Sequence, residues 1–194
     1  MAAGLTSLLT GNRVIPVAQF DDREAALRTA ELLQKHSIGI LEITFRTANA
    51  AEILHAVADR FPGLTVGAGS ILSEDALASA IDAGASFCVA PGFDPALVGQ
   101  AGSRGCGFIP GVATPTEMTA ALKLCDVIKL FPAAQLGGVE YIKAVTAPFK
   151  TKQFHLVPTG GVNRDNFLEY LKQDRVISVG MSWIVDAALI KKGD

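Results

Sequence analysis

The chain has 194 residues, with 17 Lys and Arg against 19 Asp and Glu for a net charge of −2. Without a clustered basic run it lacks the electrostatic footprint of a DNA-, RNA- or anionic-membrane-binding protein, which leaves small-molecule chemistry as the default. Hydrophobic residues reach 49% and mean hydropathy is +0.35, yet charges, glycines or prolines break every apolar stretch well short of a bilayer span, so a soluble protein is expected.

Length favours one domain over 1–194. The opening Met1-Ala2-Ala3-Gly4-Leu5 has no basic region leading into a long apolar segment, so no secretory signal is read there. Cys88, Cys106 and Cys125 are odd in number and lack metal-ligand spacing. They are expected as reduced core thiols, consistent with a cytoplasmic location.

In chain order, a short helix over 5–10 precedes eight β-rich runs at 13–19, 39–45, 64–70, 87–92, 107–113, 127–133, 154–162 and 176–183. Between them, amphipathic segments rich in Ala and Leu predict helices over 23–35, 50–61, 74–83, 95–101, 116–125, 139–147 and 166–172. Start signals stand at Asp21-Asp22, Ser73-Glu74-Asp75, Asp94-Pro95 and Thr114-Pro115-Thr116-Glu117. Gly39, Gly63, Gly84 and Gly105 suit the returns from helix to strand. Eight strand-helix repeats imply a parallel sheet closed into a (β/α)8 TIM barrel, with an open doubly wound sheet as the alternative. That alternative wants a Gly-rich first strand-helix turn, and Gln19-Phe20-Asp21-Asp22 is not one. After the last run only 186–194 remain, so the eighth helix is expected short or missing, with the helix over 5–10 covering the barrel floor.

Lys129 lies inside Val127-Ile128-Lys129-Leu130-Phe131, a run that reads as a buried strand. A charge there must be paired, be neutralised or be used. Burial in general favours the free amine of a lysine, and a free amine is a nucleophile towards ketones. The alternative is a lysine at an edge, snorkelling to water. In Leu41-Glu42-Ile43-Thr44-Phe45-Arg46 the strand period puts Glu42, Thr44 and Arg46 on one face and the apolar residues on the other. A structural Glu–Arg pair would explain two of these polar residues, but an interior lysine converging on them points to a site. Arg46 could hold a carboxylate bidentately and offset the pull of Glu42 on the lysine proton.

Barrel sites lie at the C-terminal ends of strands. Thr159-Gly160-Gly161 ends the seventh run, and Gly180 and Ser182 end the eighth, the positions where barrels recurrently bind phosphate through backbone N–H groups and hydroxyls. A Gly-Gly pair also serves as a plain tight turn. Gly67-Ala68-Gly69-Ser70, Pro91-Gly92 and Pro110-Gly111 are small-residue exits that allow close approach of a ligand, with Ser70 offering a hydroxyl. Phe131 and Trp183 are expected as core or pocket wall. His36, His55 and His155 form no ligand pattern, so no metal site is expected.

Together, Leu41-Glu42-Ile43-Thr44-Phe45-Arg46-Thr47, Val66-Gly67-Ala68-Gly69-Ser70, Pro91-Gly92, the stretch from Pro110 to Glu117, Ile128-Lys129-Leu130-Phe131-Pro132-Ala133 and Pro158-Thr159-Gly160-Gly161-Val162 closely resemble the 2-keto-3-deoxy-6-phosphogluconate (KDPG) aldolase family. The resemblance implies a class I aldolase on a (β/α)8 barrel, needing no cofactor, usually a homotrimer of the Entner–Doudoroff route. It implies Lys129 as the Schiff-base lysine and Glu42 as the proton-transfer carboxylate. Arg46 and Ser70 would hold the substrate carboxylate, with Pro91 and Phe131 alongside, and Thr159, Gly160, Gly161, Gly180 and Ser182 the phosphate. The products would be pyruvate and glyceraldehyde 3-phosphate. The same chemistry on 2-keto-4-hydroxyglutarate or on the galactonate epimer, a metal-dependent aldolase, and a non-catalytic sugar-phosphate-binding barrel are the alternatives. Two positions depart from the family pattern: Ser70 replaces a threonine, and Met181 a glycine, which would narrow the phosphate cradle or remove a donor.

Overall fold

Short apolar runs closed by glycine, proline or a capping residue become strands, and the amphipathic stretches between them become helices. A computed structural model describes residues 3–192; residues 1, 2, 193 and 194, on which part of the reading of both termini falls, lie outside the described residues. The strand segments are β1 (Val14–Ala18), β2 (Ile40–Thr44), β3 (Thr65–Gly69), β4 (Phe87–Val89), β5 (Gly107–Ile109), β6 (Gly111–Val112), β7 (Val127–Leu130), β8 (His155–Pro158) and β9 (Val179–Met181). The helices are α1 (Ala3–Thr10), α2 (Arg23–Lys35), α3 (Ala50–Arg60), α4 (Glu74–Asp82), α5 (Pro95–Ser103), α6 (Pro115–Ala121), α7 (Gly138–Thr146), α8 (Phe167–Leu171) and α9 (Ala187–Lys192).

The start signals act as read. Asp22, Ser73 and Asp94 accept from the N–H groups of Ala25, Ala76 and Ala96, and Thr114 with Glu117 forms a capping box. Each such cap contributes about 0.5–2 kcal/mol to its helix. Gly84 and Gly105 take left-handed φ values of 97° and 71° at helix ends, whereas Gly39 and Gly63 do not. At the end of α2 the left-handed residue is Ser37, φ 59°, and the Ile38 N–H then closes on the Leu33 carbonyl at 2.8 Å. Helix α6 stops short of residue 125 because Lys123 and Leu124 reach back only three residues, to Ala120 and Ala121, tightening the final turn.

The strands pair in parallel, in the order β5-β4-β3-β2-β1-β9 and, in a second group, β6-β7-β8. The expected run 107–113 is split between β5 and β6 at Pro110, which has no N–H for the ladder. Isolated parallel bridges pair Leu156 with Val176 and Thr159 with Gly180. Ile15, Ile40, Phe87, Val89, Ile109, Val127, Val157 and Ile177 meet in one cluster with Leu9, and Leu5 and Leu8 pack against it. Only a curled sheet brings inward residues of so many strands together, and α1 fills its N-terminal end. Leu41, Ile43, Val66, Ala68 and Cys88 point the other way, to helices α2–α5. Ile128, Leu130, Leu156, Val179 and Met181 do the same beneath the later helices.

Run 176–183 ends as a strand at Met181, and Trp183 opens a 3-10 turn with 40% of its surface exposed, so it is not a core residue. Among the described residues the final helix, α9, runs over six residues. The three cysteines are free. Among the described residues no helix is long and apolar enough to cross a membrane.

Candidate active site

Strand β2 is buried along its whole length. Its alternation places Ile40 in the interior floor and Leu41 and Ile43 against the helices, so Glu42 and Thr44 face the interior above Ile40. The room for Glu42 comes from β3. Glu42 pairs with Gly67 and Thr44 with Gly69, and a Cβ on Gly69 would collide with the Glu42 carboxylate. On Gly67 it would run into the Phe87 ring. The inward positions of β3 are thus small because the neighbouring side chains occupy the space above them.

Strand β7 presents Val127 to the same interior floor and turns Ile128 and Leu130 outward, which directs Lys129 inward. Only 6% of Lys129 and 3% of Glu42 is exposed. Lys129 Nζ stands 5.0 Å from the centre of the Phe131 ring. Among the described residues the salt bridges are Arg104–Asp82 and Lys143–Glu140, and neither Lys129 nor Glu42 is in one. Burial pushes the Glu42 carboxyl above the ordinary carboxylate range, and the nearby cations of Lys129 and Arg46 oppose this without reversing it. The amine is therefore not locked in an ion pair, and the carboxyl is biased toward holding a proton.

Arg46 follows β2 and is exposed at the mouth, where its Nε donates to Ser70 Oγ at 2.8 Å. Ser70 closes β3 with φ 60°, the left-handed region that a residue with a Cβ occupies at a strain of about 1–3 kcal/mol. Its hydroxyl is thereby turned across to Arg46. Pro91 is half-buried beside the exit of β4. Close packing marks the other exits too: a Cβ on Gly111 would meet the Pro91 carbonyl, and one on Gly160 would stand 3.1 Å from Phe131 Cε2. Phe131 thus spans the distance between the lysine and the glycine turn. Gly160 and Gly161 both have positive φ, 92° and 72°. Gly180 bridges to Thr159, and Ser182 is exposed just beyond. Met181 does not enter this turn: its side chain is buried under the helices, on the opposite face from Gly180.

The sequence matches the family described as "Aldolase: KDPG and KHG aldolase" over residues 5–194. The chain belongs to this family. As an aldolase it is a lyase. Among its relatives, the 2-dehydro-3-deoxy-phosphogluconate aldolase of Treponema pallidum (strain Nichols) is 39% identical over 183 residues, spanning 94% of this chain and 86% of that protein. The KHG/KDPG aldolase of Escherichia coli (strain K12) is 34% identical over 97% of this chain and 88% of its own. The crystal structure of KDPG aldolase from Legionella pneumophila, with pyruvate captured at low pH as a covalent carbinolamine intermediate, superposes with a TM-score of 0.92 at 35% identity, covering 97% of this chain and 91% of that one.

The candidate catalytic and substrate-binding residues of the aldolase sequence stand at C-terminal strand ends or on the interior faces leading to them. Sequence reading missed two things that shape this site: the orphan hydroxyl of Thr44, whose Oγ1 is buried with no hydrogen-bond partner among the described residues, and the seating of Glu42 over Gly69. The alternation of Thr65, Gly67 and Gly69 carried the second signal, since strand glycines mark close approach by a neighbour. A cavity of about 540 Å³ lies instead at the N-terminal ends of β5 and β7, lined by Leu5, Leu8, Cys106, Cys125 and Asp126 among others. It contains none of the candidate catalytic or substrate-binding residues. Among the described residues no three His, Cys, Asp or Glu side chains cluster as a metal site.

Proposed function

We propose that this aldolase cleaves 2-keto-3-deoxy-6-phosphogluconate to pyruvate and glyceraldehyde 3-phosphate through a Schiff base on Lys129. The observation that carries the reading is the burial of Lys129 and Glu42 on facing interior positions with no ion pair between them. Lys129 attacks the C2 ketone, and loss of water gives a protonated imine. That cation takes up the electron pair released when C3–C4 breaks, leaving an enamine in place of a carbanion. Glu42 accepts the proton of the C4 hydroxyl and later returns one to C3. Its raised affinity for a proton suits a group that must both take and give one.

Arg46, oriented by Ser70, holds the substrate carboxylate, with Pro91 and Phe131 walling the path to the amine. Thr159, Gly160, Gly161, Gly180 and Ser182 receive the phosphate, so binding energy far from the scissile bond aligns it. Because Met181 faces away, its replacement of a glycine leaves this cradle open on the ligand side. The crystal structure of the Zymomonas mobilis ZM4 KDPG aldolase with 3-phosphoglycerate, TM-score 0.91 and 32% identity over 99% of this chain and 93% of that one, supports a phosphorylated substrate here.

The same reading takes the two strand groups as one eight-stranded (β/α)8 barrel and one domain. Supporting it, β5 and β6 are separated by Pro110 alone, whose carbonyl accepts from Lys129 N at 2.8 Å, and the Thr159–Gly180 bridge spans the remaining seam. A cytoplasmic homotrimer belongs with it, and light scattering of the purified protein tests the stoichiometry. The name of the Escherichia coli relative favours a second substrate, 2-keto-4-hydroxyglutarate. The deciding experiment is turnover of the gluconate-derived substrate, its galactonate epimer and the hydroxyglutarate side by side. Highest kcat/KM for the first supports the proposal; no turnover of it overturns the assignment.

A further inference from the structure

The polar residues of β2 form a ladder along one interior face: Glu42 deepest, Thr44 above it, and Arg46 beyond the strand end. Thr44 is only 4% exposed, and its Oγ1 has no hydrogen-bond partner among the described residues. A buried hydroxyl left in this state costs about 1–3 kcal/mol. Valine has the same shape, suits a strand at least as well and avoids that penalty, so the hydroxyl does nothing for the fold. The residue paired with Thr44 is Gly69, which offers no side chain to meet it.

Resting on the Schiff-base reading above, we propose that Thr44 Oγ1 is a further catalytic group, hydrogen-bonded to the oxygen on C2 of the keto acid while that oxygen leaves as water. With the carboxylate at Arg46 and C2 bonded to the Lys129 nitrogen, this oxygen lies between Arg46 and Glu42 along β2, at the level of Thr44. The step balances as follows. In the carbinolamine the C2–O bond breaks, the oxygen takes the proton of the Glu42 carboxyl and departs as water, and the nitrogen lone pair closes the C2=N bond. The products are the protonated imine and ionised Glu42. Thr44 neither gains nor loses a proton overall; it fixes the leaving oxygen within reach of the acid.

Rapid-quench borohydride trapping with pyruvate tests this, comparing wild type, Thr44→Val and Thr44→Ser. Thr44→Val is expected to slow formation of the Lys129 adduct by about 10- to 100-fold, the loss of one hydrogen bond to a group developing charge. Its Tm should match or exceed that of wild type, and Thr44→Ser should restore most of the rate. If wild type and Thr44→Val trap pyruvate equally fast, the role of Thr44 is overturned while the Schiff base stands. If both variants lose rate in step with a fall in Tm, Thr44 is a packing residue and the proposal is again overturned. A wild type that forms no adduct overturns the Schiff-base reading and, with it, the step assigned to Thr44.

Discussion

Gly69→Ala adds one methyl group, on a residue that carries no reacting atom, and is expected to disable the site. A Cβ at Gly69 would stand 2.8 Å from Glu42 Cδ and 2.9 Å from Cγ, with Oε1 nearer still. Ordinary contact needs about 3.4–4 Å, so the carboxylate must withdraw by about 1 Å, a displacement on the scale that costs roughly 10²-fold in rate. That factor corresponds to about 2.7 kcal/mol of transition-state stabilisation, and overpacking removes a further ~1–3 kcal/mol of stability. Because Glu42 also supplies the proton that dehydrates the carbinolamine, the variant should form the imine with pyruvate slowly as well as exchange the C3 protons slowly. The assay is pyruvate release for kcat and KM, proton exchange at C3 by NMR, and denaturant unfolding on the same preparation. A Gly69→Ala protein with kcat and C3 exchange within twofold of wild type would refute the seating of Glu42 over Gly69 as a requirement for catalysis.

Two further outcomes follow from the charges. Because burial raises the Glu42 pKa on folding, the native state holds that proton more tightly than the unfolded chain. Its contribution to stability is therefore fully present below the usual carboxylate value and is lost as pH rises through the folded value. Glu42→Gln should remove this fall, melting higher than wild type at neutral pH with a smaller gap at pH 4, and should lose C3 proton exchange; equal melting curves at both pH values would contradict it. Arg46→Ala should raise the KM for the keto acid by about 10- to 100-fold, the worth of a charge-assisted hydrogen bond, with a smaller effect on kcat. Arg46→Lys should recover only part of this, since an ammonium cannot grip a carboxylate as a fork; an unchanged KM in both would remove Arg46 from the carboxylate site.

Much of this was legible from the sequence because period and punctuation are local properties. Short apolar runs between capped helices gave the strand-helix alternation, and the period of two set Glu42, Thr44 and Arg46 on one face. A lysine among apolar residues marked β7. What escaped depended on neighbours distant in sequence. The turn after α2 is made by Ser37 with its left-handed backbone, although Gly39 two residues on is the conspicuous signal. The break at Pro110 arises from a missing donor whose effect is felt only when the ladder is drawn. Nothing in the local sequence gives the left-handed φ of Ser70. Met181 was readable after all: in a strand, Gly180 and Ser182 share a face and the residue between them takes the other. The place of Glu42 over Gly69 required two strands to be set in register.

The most direct test of a reactive amine in the interior is borohydride reduction in the presence of pyruvate, followed by peptide mapping. The account predicts one irreversible adduct, on Lys129, with activity lost in proportion to labelling and no adduct in Lys129→Ala. Reduction that leaves Lys129 unmodified and the enzyme fully active would contradict it.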